Sequence, residues 1–324
     1  MRNQFAKRVL IFSFLLLLIL PLLFGGSYHL FVLCMALINV MAVLGLNFIF
    51  GLAGQLHMGM AGFMAIAAYS MALSTTKINF TFWMGLLLAI LLSGCAGLLL
   101  GIPTLRLKRY YLAITTIGFS EVVRYVLQNW MSFTGGVWGV AGIPRPSIFG
   151  FVFNNNLQFY YLLLAVAALL TVVALLVESS KFGRAFKAVH DDELATETMG
   201  INSTRVKILA FLLCAAYAGV AGSFFASFHA YISPEIFKQT YSFTFVCMLV
   251  IGGLGSIPGS VLGAILLTIG MEALRFLGEW YLVVYAALLI VTIVYSPQGL
   301  IGVLQSAYAR FQRQSTQQTP VGSR

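Results

Sequence analysis

The sequence predicts an all-α protein that crosses a membrane as a bundle of about ten helices, each of about 20 apolar residues. Three observations carry this prediction. Of the 324 residues, 60% are apolar and only 9% are charged, whereas soluble chains carry about 25% charged residues. The apolar residues form long runs, and the basic residues fall between those runs. Nine acidic and nineteen basic side chains cannot cover the surface of a soluble protein of this length, which excludes soluble enzymes, disordered regulators and coiled-coil scaffolds.

The predicted helices follow the apolar runs in order. They are expected at 9–24, 29–50, 59–74, 82–102, 110–128, 157–177, 206–230, 240–252, 259–277 and 280–296. The first run has a basic start like that of a signal peptide, but no A-x-A-like cleavage site follows and the run continues past Pro21. We therefore expect it to be retained as the first helix.

The positions of the basic residues predict which ends of these helices lie on the same side of the membrane. Lysine and arginine mark cytoplasmic loops in membrane proteins, and an even number of crossings places the basic stretches on one side. These stretches are Arg2 to Arg8, 103–109, 178–205 and the C-terminal tail, whereas 75–81, 129–156 and 231–239 lie opposite. We expect a multi-pass protein with both termini in the cytoplasm, a single transmembrane domain over 1–310 and a polar cytoplasmic tail over 311–324.

Several functional classes lack their motifs. The chain has no G-x-x-x-x-G-K-[ST] phosphate loop, no H-E-x-x-H and no G-x-S-x-G. We therefore expect no catalytic residue, no metal site and no cofactor bound by this chain. A net charge of +10 can indicate nucleic-acid binding in a soluble domain, but here the bases belong to membrane loops, so no nucleic-acid partner is expected.

Two glycine-dense stretches interrupt the apolar runs, Gly51–Gly62 and Gly252–Gly263. Short segments interrupted by glycine or proline at corresponding places are typical of a transporter's central site. Two ordinary cytoplasmic hairpin turns are the alternative. Polar residues near these stretches are candidates for a translocation path, since they can bind a polar solute: Asn47, Gln55, His57 and Ser256.

Charged residues inside predicted spans are further candidates, because each costs about 2.5–3.5 kcal/mol at a helix centre. Glu121 and Arg124 have i, i+3 spacing, as have Glu272 and Arg275, which allows each pair to neutralise itself. We favour the interpretation that both pairs are self-neutralised and lie near the outer interface. The alternative is a role at the substrate entrance, in which case Glu121 and Arg124 belong to the translocation path. For His57 we expect a hydrogen-bonded interfacial histidine rather than a proton relay.

The long polar stretch between the sixth and seventh runs, Lys181–Lys207, predicts ordered structure rather than a solvated loop. Residues 183–189 indicate a short helix, and Phe182, Ala185, Phe186 and Val189 are expected to form its apolar face. Asp191 or Asp192 can cap a second helix, and Gly200 suits its C-terminal end. An amphipathic pair of short helices needs a surface to lie against.

Five separated motifs resemble the permease subunits of branched-chain amino-acid ABC importers, specifically the LivM-type subunit. They are GLAGQLHMGMAGF (51–63), TLRLKRYYLAITTIGFSEVVR (104–124), TGGVWGVAGIP (134–144), GRAFKAVHDDELATETMGIN (183–202) and GGLGSIPGSVLGA (252–264). The resemblance implies a multi-pass permease of the bacterial inner membrane with several partners. These are a second homologous permease of LivH type, two cytoplasmic ATPase subunits that use ATP, and an extracytoplasmic solute-binding protein.

The same resemblance identifies the stretch around 181–205 as the segment that couples the permease to the ATPases. The residues expected to carry coupling are Gly183, Arg184, Ala185, Ala188, Asp191, Glu193, Ala195 and Gly200. Departures from the family pattern at His57, Met60, Arg109 and Tyr110 bear on the solute, which we expect to be a branched-chain or related amino acid. An ion-coupled secondary transporter of amino acids or small polar solutes is the alternative function, and a membrane scaffold is a third.

Overall fold

The computed structural model describes residues 2–23, 26–104, 109–148, 151–274, 280, 287 and 299–302. Its α-helices are α1 (Arg2–Leu23), α2 (Ser27–Leu46), α3 (Met60–Thr76), α4 (Phe82–Thr104), α5 (Arg109–Asn129), α6 (Met131–Thr134), α7 (Asn156–Ser179), α8 (Lys181–Asp191), α9 (Glu193–Thr198), α10 (Ser203–His229), α11 (Gln239–Gly252) and α12 (Ile257–Leu274). A π-helix at Asn47–Leu52 continues α2, and two 3-10 turns lie at Gly136–Trp138 and Pro234–Phe237.

The all-α membrane bundle is confirmed. The first nine predicted runs coincide with helices, whereas the tenth, 280–296, and the tail, 311–324, lie outside the described residues except for 280 and 287. Five described helical segments are long and apolar enough to cross a membrane: Ser27–Leu52, Phe82–Thr104, Asn156–Ser179, Ser203–His229 and Ile257–Leu274. The helices α1, α3 and α11 contain shorter apolar segments, so the total of about ten spans stays a prediction.

Helix α10 lies at the centre of the bundle and packs against α2, α3 and α4. Small residues allow these close approaches, as they do between other helices in lipid. A Cβ atom placed on Gly97 of α4 would lie only 2.7 Å from the Cβ of Ala215 in α10. The small residues Gly97 and Ala215 therefore allow α4 and α10 to approach closely at this contact.

The bundle has two distinct ends. At one end, α7 leads into α8 and α9, which return the chain to the start of α10. At the other end, the short strands β1 (Val140–Ala141) and β4 (Tyr231–Ile232) pair in antiparallel orientation, with Val140 opposite Ile232. Between β1 and α7, the strands β2 (Ser147–Ile148) and β3 (Phe151–Val152) pair in antiparallel orientation, with Ser147 opposite Val152.

Candidate functional site

The two glycine-dense stretches are in direct contact, although about two hundred residues separate them in sequence. The side-chain Oδ1 of Asn47 accepts a hydrogen bond from the amide of Gly255 at 3.0 Å. A Cβ atom on Gly51 would lie 2.5 Å from the same amide nitrogen, so no larger residue fits at this crossing. We call residues 51–55 together with residues 252–256 the glycine junction.

Beyond the glycine junction, the chain enters the bundle without regular structure until α3 begins at Met60. The sulfur of Met60 lies 3.8 Å from that of Cys214, and Cys214 is close to the midpoint of α10, which spans Ser203–His229. Irregular backbone at membrane depth is tolerated only where protein or a water-filled cavity surrounds it. For the first glycine-dense stretch, the position of Met60 therefore favours an interrupted helix over an ordinary hairpin turn.

The polar segment after α7 forms two ordered helices, as predicted. Ser180 caps α8 by accepting a hydrogen bond from the amide of Phe182 at 3.1 Å. Asp192 caps α9 in the same way through the amide of Ala195 at 3.1 Å. Gly200 ends this segment with a φ of +83°, a conformation that glycine adopts without steric cost.

The buried face of α8 differs from the predicted one at a single position. Phe186 and Val189 are buried, as expected, together with Gly183. Phe182 was also expected on this face, but it is 47% exposed. It is the second residue of α8, directly after the Ser180 cap and Lys181, and Lys181 is exposed as well.

Helix α8 contacts the glycine junction through His190. Gly54 has a φ of +67°, and a Cβ atom on it would lie 2.5 Å from Cδ2 of the His190 ring. Ion pairs join the two short helices to the bundle: Lys187 pairs with Glu178 of α7 at 2.8 Å, and Lys207 of α10 pairs with Glu193. The segment is thus anchored to α7, to α10 and to the junction.

The candidate coupling residues all lie on this segment but differ in exposure. Gly183 is buried, Ala185 and Ala188 are partly buried, and the exposed ones are Arg184, Asp191, Glu193, Ala195 and Gly200. Sequence reasoning missed three exposed apolar side chains beside them, Leu194, Met199 and Ile201. Their signal was present in the sequence as apolar residues within a polar stretch.

The candidate path residues divide into two groups. Asn47 and Ser256 stabilise the glycine junction: the Ser256 hydroxyl accepts a hydrogen bond from the amide of Gly259 at 3.3 Å. Gln55 donates a weak hydrogen bond to the carbonyl of Ala53 at 3.4 Å. The structure brings these three residues together at the glycine junction, and their role in a translocation path stays a prediction.

His57 departs from expectation, because it is not an interfacial, hydrogen-bonded histidine. Its ring is fully buried between Phe63 and Phe211, with centroid distances of 5.2 Å and 5.7 Å. Neither ring nitrogen has a hydrogen-bond partner in the described part of the chain. That expectation was wrong because the irregular backbone after the junction carries His57 into the bundle instead of along its surface.

Glu121 and Arg124 pair as predicted, at 2.8 Å, but they lie away from the junction. Arg124 also contacts Glu235, at 3.3 Å, and Glu235 pairs with Lys238. The hydrogen bond from Lys238, together with the positive charges of Lys238 and Arg124, holds the pKa of the Glu235 carboxyl below its usual value.

The second predicted pair is only partly within the described residues. Glu272 accepts a hydrogen bond from the hydroxyl of Tyr28, and Arg275 lies outside the described residues.

Sequence reasoning missed two residues whose buried polar atoms lie near the start of α3. The Ser120 hydroxyl and the Gln239 Oε1 are buried and have no hydrogen-bond partner among the residues that the structure describes. Ser120 lies on α5 and Gln239 starts α11. No local pattern marks either residue, because only the packing of three distant segments brings them to His57.

An interrupted helix that starts at mid-bundle, together with an ordered two-helix segment that touches the interruption, defines a transport subunit of the membrane. Comparison with known families identifies which one. Residues 28–293 match the family described as branched-chain amino acid transport system / permease component. The chain belongs to this family, which confirms the resemblance seen in the five motifs and disfavours an ion-coupled secondary transporter.

Individual relatives agree with this assignment. The chain is 37% identical over 291 residues to the high-affinity branched-chain amino acid transport system permease protein LivM of Salmonella typhimurium, covering 82% of this chain and 68% of the relative. It is 36% identical over 290 residues to LivM of Escherichia coli K12, with the same coverage. It is also 33% identical over 212 residues to LivH of Escherichia coli K12, covering 62% of this chain and 66% of LivH. No solved structure matches the chain.

Proposed function

We propose that this chain is the LivM-type permease subunit of a bacterial ABC importer that moves branched-chain or related amino acids across the inner membrane. An extracytoplasmic binding protein delivers the solute, and separate cytoplasmic ATPase subunits supply the energy by using ATP. The names of the similar permeases support the solute class. The lack of a phosphate-loop motif in the sequence supports an external source of energy.

The second subunit of the pathway is a homologous permease of LivH type. The similarity of this chain to a LivH protein as well as to LivM proteins supports a pair of related subunits that pack around one path. The segment 129–156, which includes the exposed Trp138 and Trp130, faces outward in this arrangement and receives the binding protein.

The contact between His190 and Gly54 is the single observation that best supports this mechanism. A change in the ATPases that moves α8 must also move or release residue 54, because no space separates the His190 ring from that backbone. Gly54 continues into the irregular stretch that leads to α3. The contact therefore gives ATP binding a direct route to the interrupted helix.

The ATPases dock on the exposed apolar side chains beside α9. Leu194 is 76% exposed and Met199 is 82% exposed, and neither position is expected to face lipid, since the surrounding segment is strongly polar. Burial of such side chains by a partner stabilises a complex by roughly 1.5–3 kcal/mol each. The ammonium and carboxylate groups around them supply the polar rim of the interface.

Replacement of these two side chains tests the docking site. We expect Leu194→Asp combined with Met199→Asp to release both ATPases during purification in mild detergent, because a buried unpaired carboxylate is costly. The bundle should stay folded, since both side chains point into solvent. Gly183 is less suitable for this test, because a Cβ atom there would clash with the carbonyl of Glu178 and disturb the corner between α7 and α8.

The matched control is Asn79→Asp, which adds a carboxylate at an exposed position near the opposite end of the bundle. This variant should retain both ATPases. Retention of both ATPases by the Leu194 and Met199 double variant, together with normal uptake, would contradict the docking proposal.

A further inference from the structure

Unpartnered buried polar atoms gather at one place in the bundle. Six buried side-chain nitrogen or oxygen atoms lack a hydrogen-bond partner in the part of the chain that the structure describes, and four of them belong to His57, Ser120 and Gln239. Buried polar groups in folded proteins are nearly always paired. A cluster of unpaired ones therefore indicates a site that is satisfied by something else during function.

All three residues surround the first turn of α3. A Cβ atom on Gly59 would lie 3.2 Å from the His57 ring, and one on Gly62 would lie 2.9 Å from the Cα of Ser120. The Gln239 side-chain nitrogen donates a hydrogen bond to the carbonyl of Met58 at 2.9 Å, which leaves its oxygen free beside the same turn.

Two helices begin at this place. The amide of Ala61, in the first turn of α3, donates a hydrogen bond to the Ser242 hydroxyl in the first turn of α11 at 2.9 Å. Neither helix has an acidic residue in its first turn, and neither N-cap residue, Gly59 or Lys238, makes a side-chain capping hydrogen bond. Each helix N-terminus carries a partial positive charge, so two adjacent N-termini without an acidic side chain in the first turn favour a negatively charged ligand group.

The depth of this place suits a solute site. Met60 contacts Cys214 near the midpoint of α10, and transporters commonly hold their solutes near the membrane midplane, at the N-termini of interrupted helices. The His57 imidazole and the Ser120 hydroxyl can each donate a hydrogen bond, whereas the free Gln239 oxygen can only accept one.

We propose that His57, Ser120 and Gln239, together with the N-termini of α3 and α11, bind the charged head group of an α-amino acid. The carboxylate lies at the helix N-termini and accepts hydrogen bonds from Ser120 and His57. The ammonium group donates to the Gln239 oxygen. This inference rests on the proposed function and assigns its solute site.

The test uses the complete importer with its binding protein, reconstituted in liposomes, and measures leucine imported per ATP hydrolysed. We expect Ser120→Ala and Gln239→Met each to lower this ratio at least threefold. ATP hydrolysis stimulated by the leucine-loaded binding protein should stay unchanged, because docking occurs elsewhere. A merely structural role would lower hydrolysis and import together.

The matched control is Ser223→Ala, a buried serine in α10 whose hydroxyl already donates to the carbonyl of Gly219 at 2.8 Å. Its ratio should equal that of the wild type. Unchanged ratios in both site variants would overturn the proposal, and Ser120→Ala decides the question alone if Gln239→Met does not fold.

Failure of the proposed function gives a different result. If the proposed function is wrong, the wild-type complex will not import leucine, and the loaded binding protein will not stimulate its ATP hydrolysis. That result would also contradict the assignment of the solute site.

Discussion

Gly54 is the residue at which the proposed coupling depends most on a single backbone conformation. Its φ of +67° places it in the left-handed region, and the His190 ring fills the space that a side chain would need. An L-residue pays about 1–2 kcal/mol in this conformation before any clash is counted. The position therefore links backbone geometry directly to the contact with α8.

We expect Gly54→Ala to impair transport more than it impairs folding. The new methyl group displaces the His190 ring, so leucine uptake by the reconstituted importer should fall at least fivefold. Since a tenfold change corresponds to 1.4 kcal/mol, a fivefold loss corresponds to a free-energy change of about 1 kcal/mol. Thermal unfolding in detergent would report any loss of stability.

Gly118→Ala is the control for this substitution, since a Cβ atom on Gly118 in α5 has no neighbour within 4 Å. It should leave uptake unchanged. Wild-type uptake by Gly54→Ala would show that the close contact with His190 does not matter for coupling.

The residues of the candidate site could be predicted from the sequence only in part. Asn47 and Ser256 stood out because they are polar and lie beside glycines, and the structure shows that their oxygens stabilise the glycine junction. Ser120 and Gln239 could not be found, since each is an ordinary polar residue until α3, α5 and α11 meet. Whether a buried polar group has a hydrogen-bond partner depends on the tertiary structure and cannot be read from the local sequence.

Among the helices, α9 is the one whose stability depends most on the capping of its ends. A helix of six residues is too short to be stable by itself, and Asp192 supplies its N-terminal cap. The neighbouring Asp191 ends α8 and is exposed. The two adjacent aspartates thus have the same charge but different roles.

We expect Asp192→Ala to destabilise α9 locally by about 1 kcal/mol, the usual cost of losing a capping side chain. Amide hydrogen exchange of the purified complex should then be several-fold faster across Glu193–Thr198 and unchanged in α10. Asp191→Ala removes the same charge without removing the cap, so it should leave exchange in α9 slow. Equal exchange in the two variants would contradict the capping role.

The elements themselves were largely predictable because their signals are local. Caps depend on residues two or three positions apart, and apolar runs mark helices directly. The π-helix at Asn47–Leu52 was not predictable, since it arises where the end of α2 meets Gly255. The amphipathic face of α8 was predicted except for Phe182, whose exposure depends on how Ser180 turns the chain.

At the scale of the whole molecule, the proposed coupling is a continuous chain of contacts. The ATPases bind beside α9, α8 contacts the glycine junction through His190, and the junction leads to the start of α3. Work can be transmitted this way only if ATP favours one of two arrangements of these elements. The buried and unpartnered His57 belongs to one such arrangement.

The fold class followed from composition because lipid restricts a spanning chain to few solutions. Apolar runs and the distribution of basic residues were sufficient to predict a multi-pass helical bundle. They could not show that the two glycine-dense stretches touch, or that α3 begins at mid-bundle, because both features depend on contacts between Gly51 and Gly255 and between Met60 and Cys214.

The central claim is that this subunit conducts solute but has no energy source of its own. The most direct test is leucine accumulation in liposomes that carry either the chain alone, under an imposed proton or sodium gradient, or the complete importer with ATP. The account predicts accumulation above the external concentration only with the complete importer and ATP. Concentrative uptake by the chain alone under an ion gradient would contradict it.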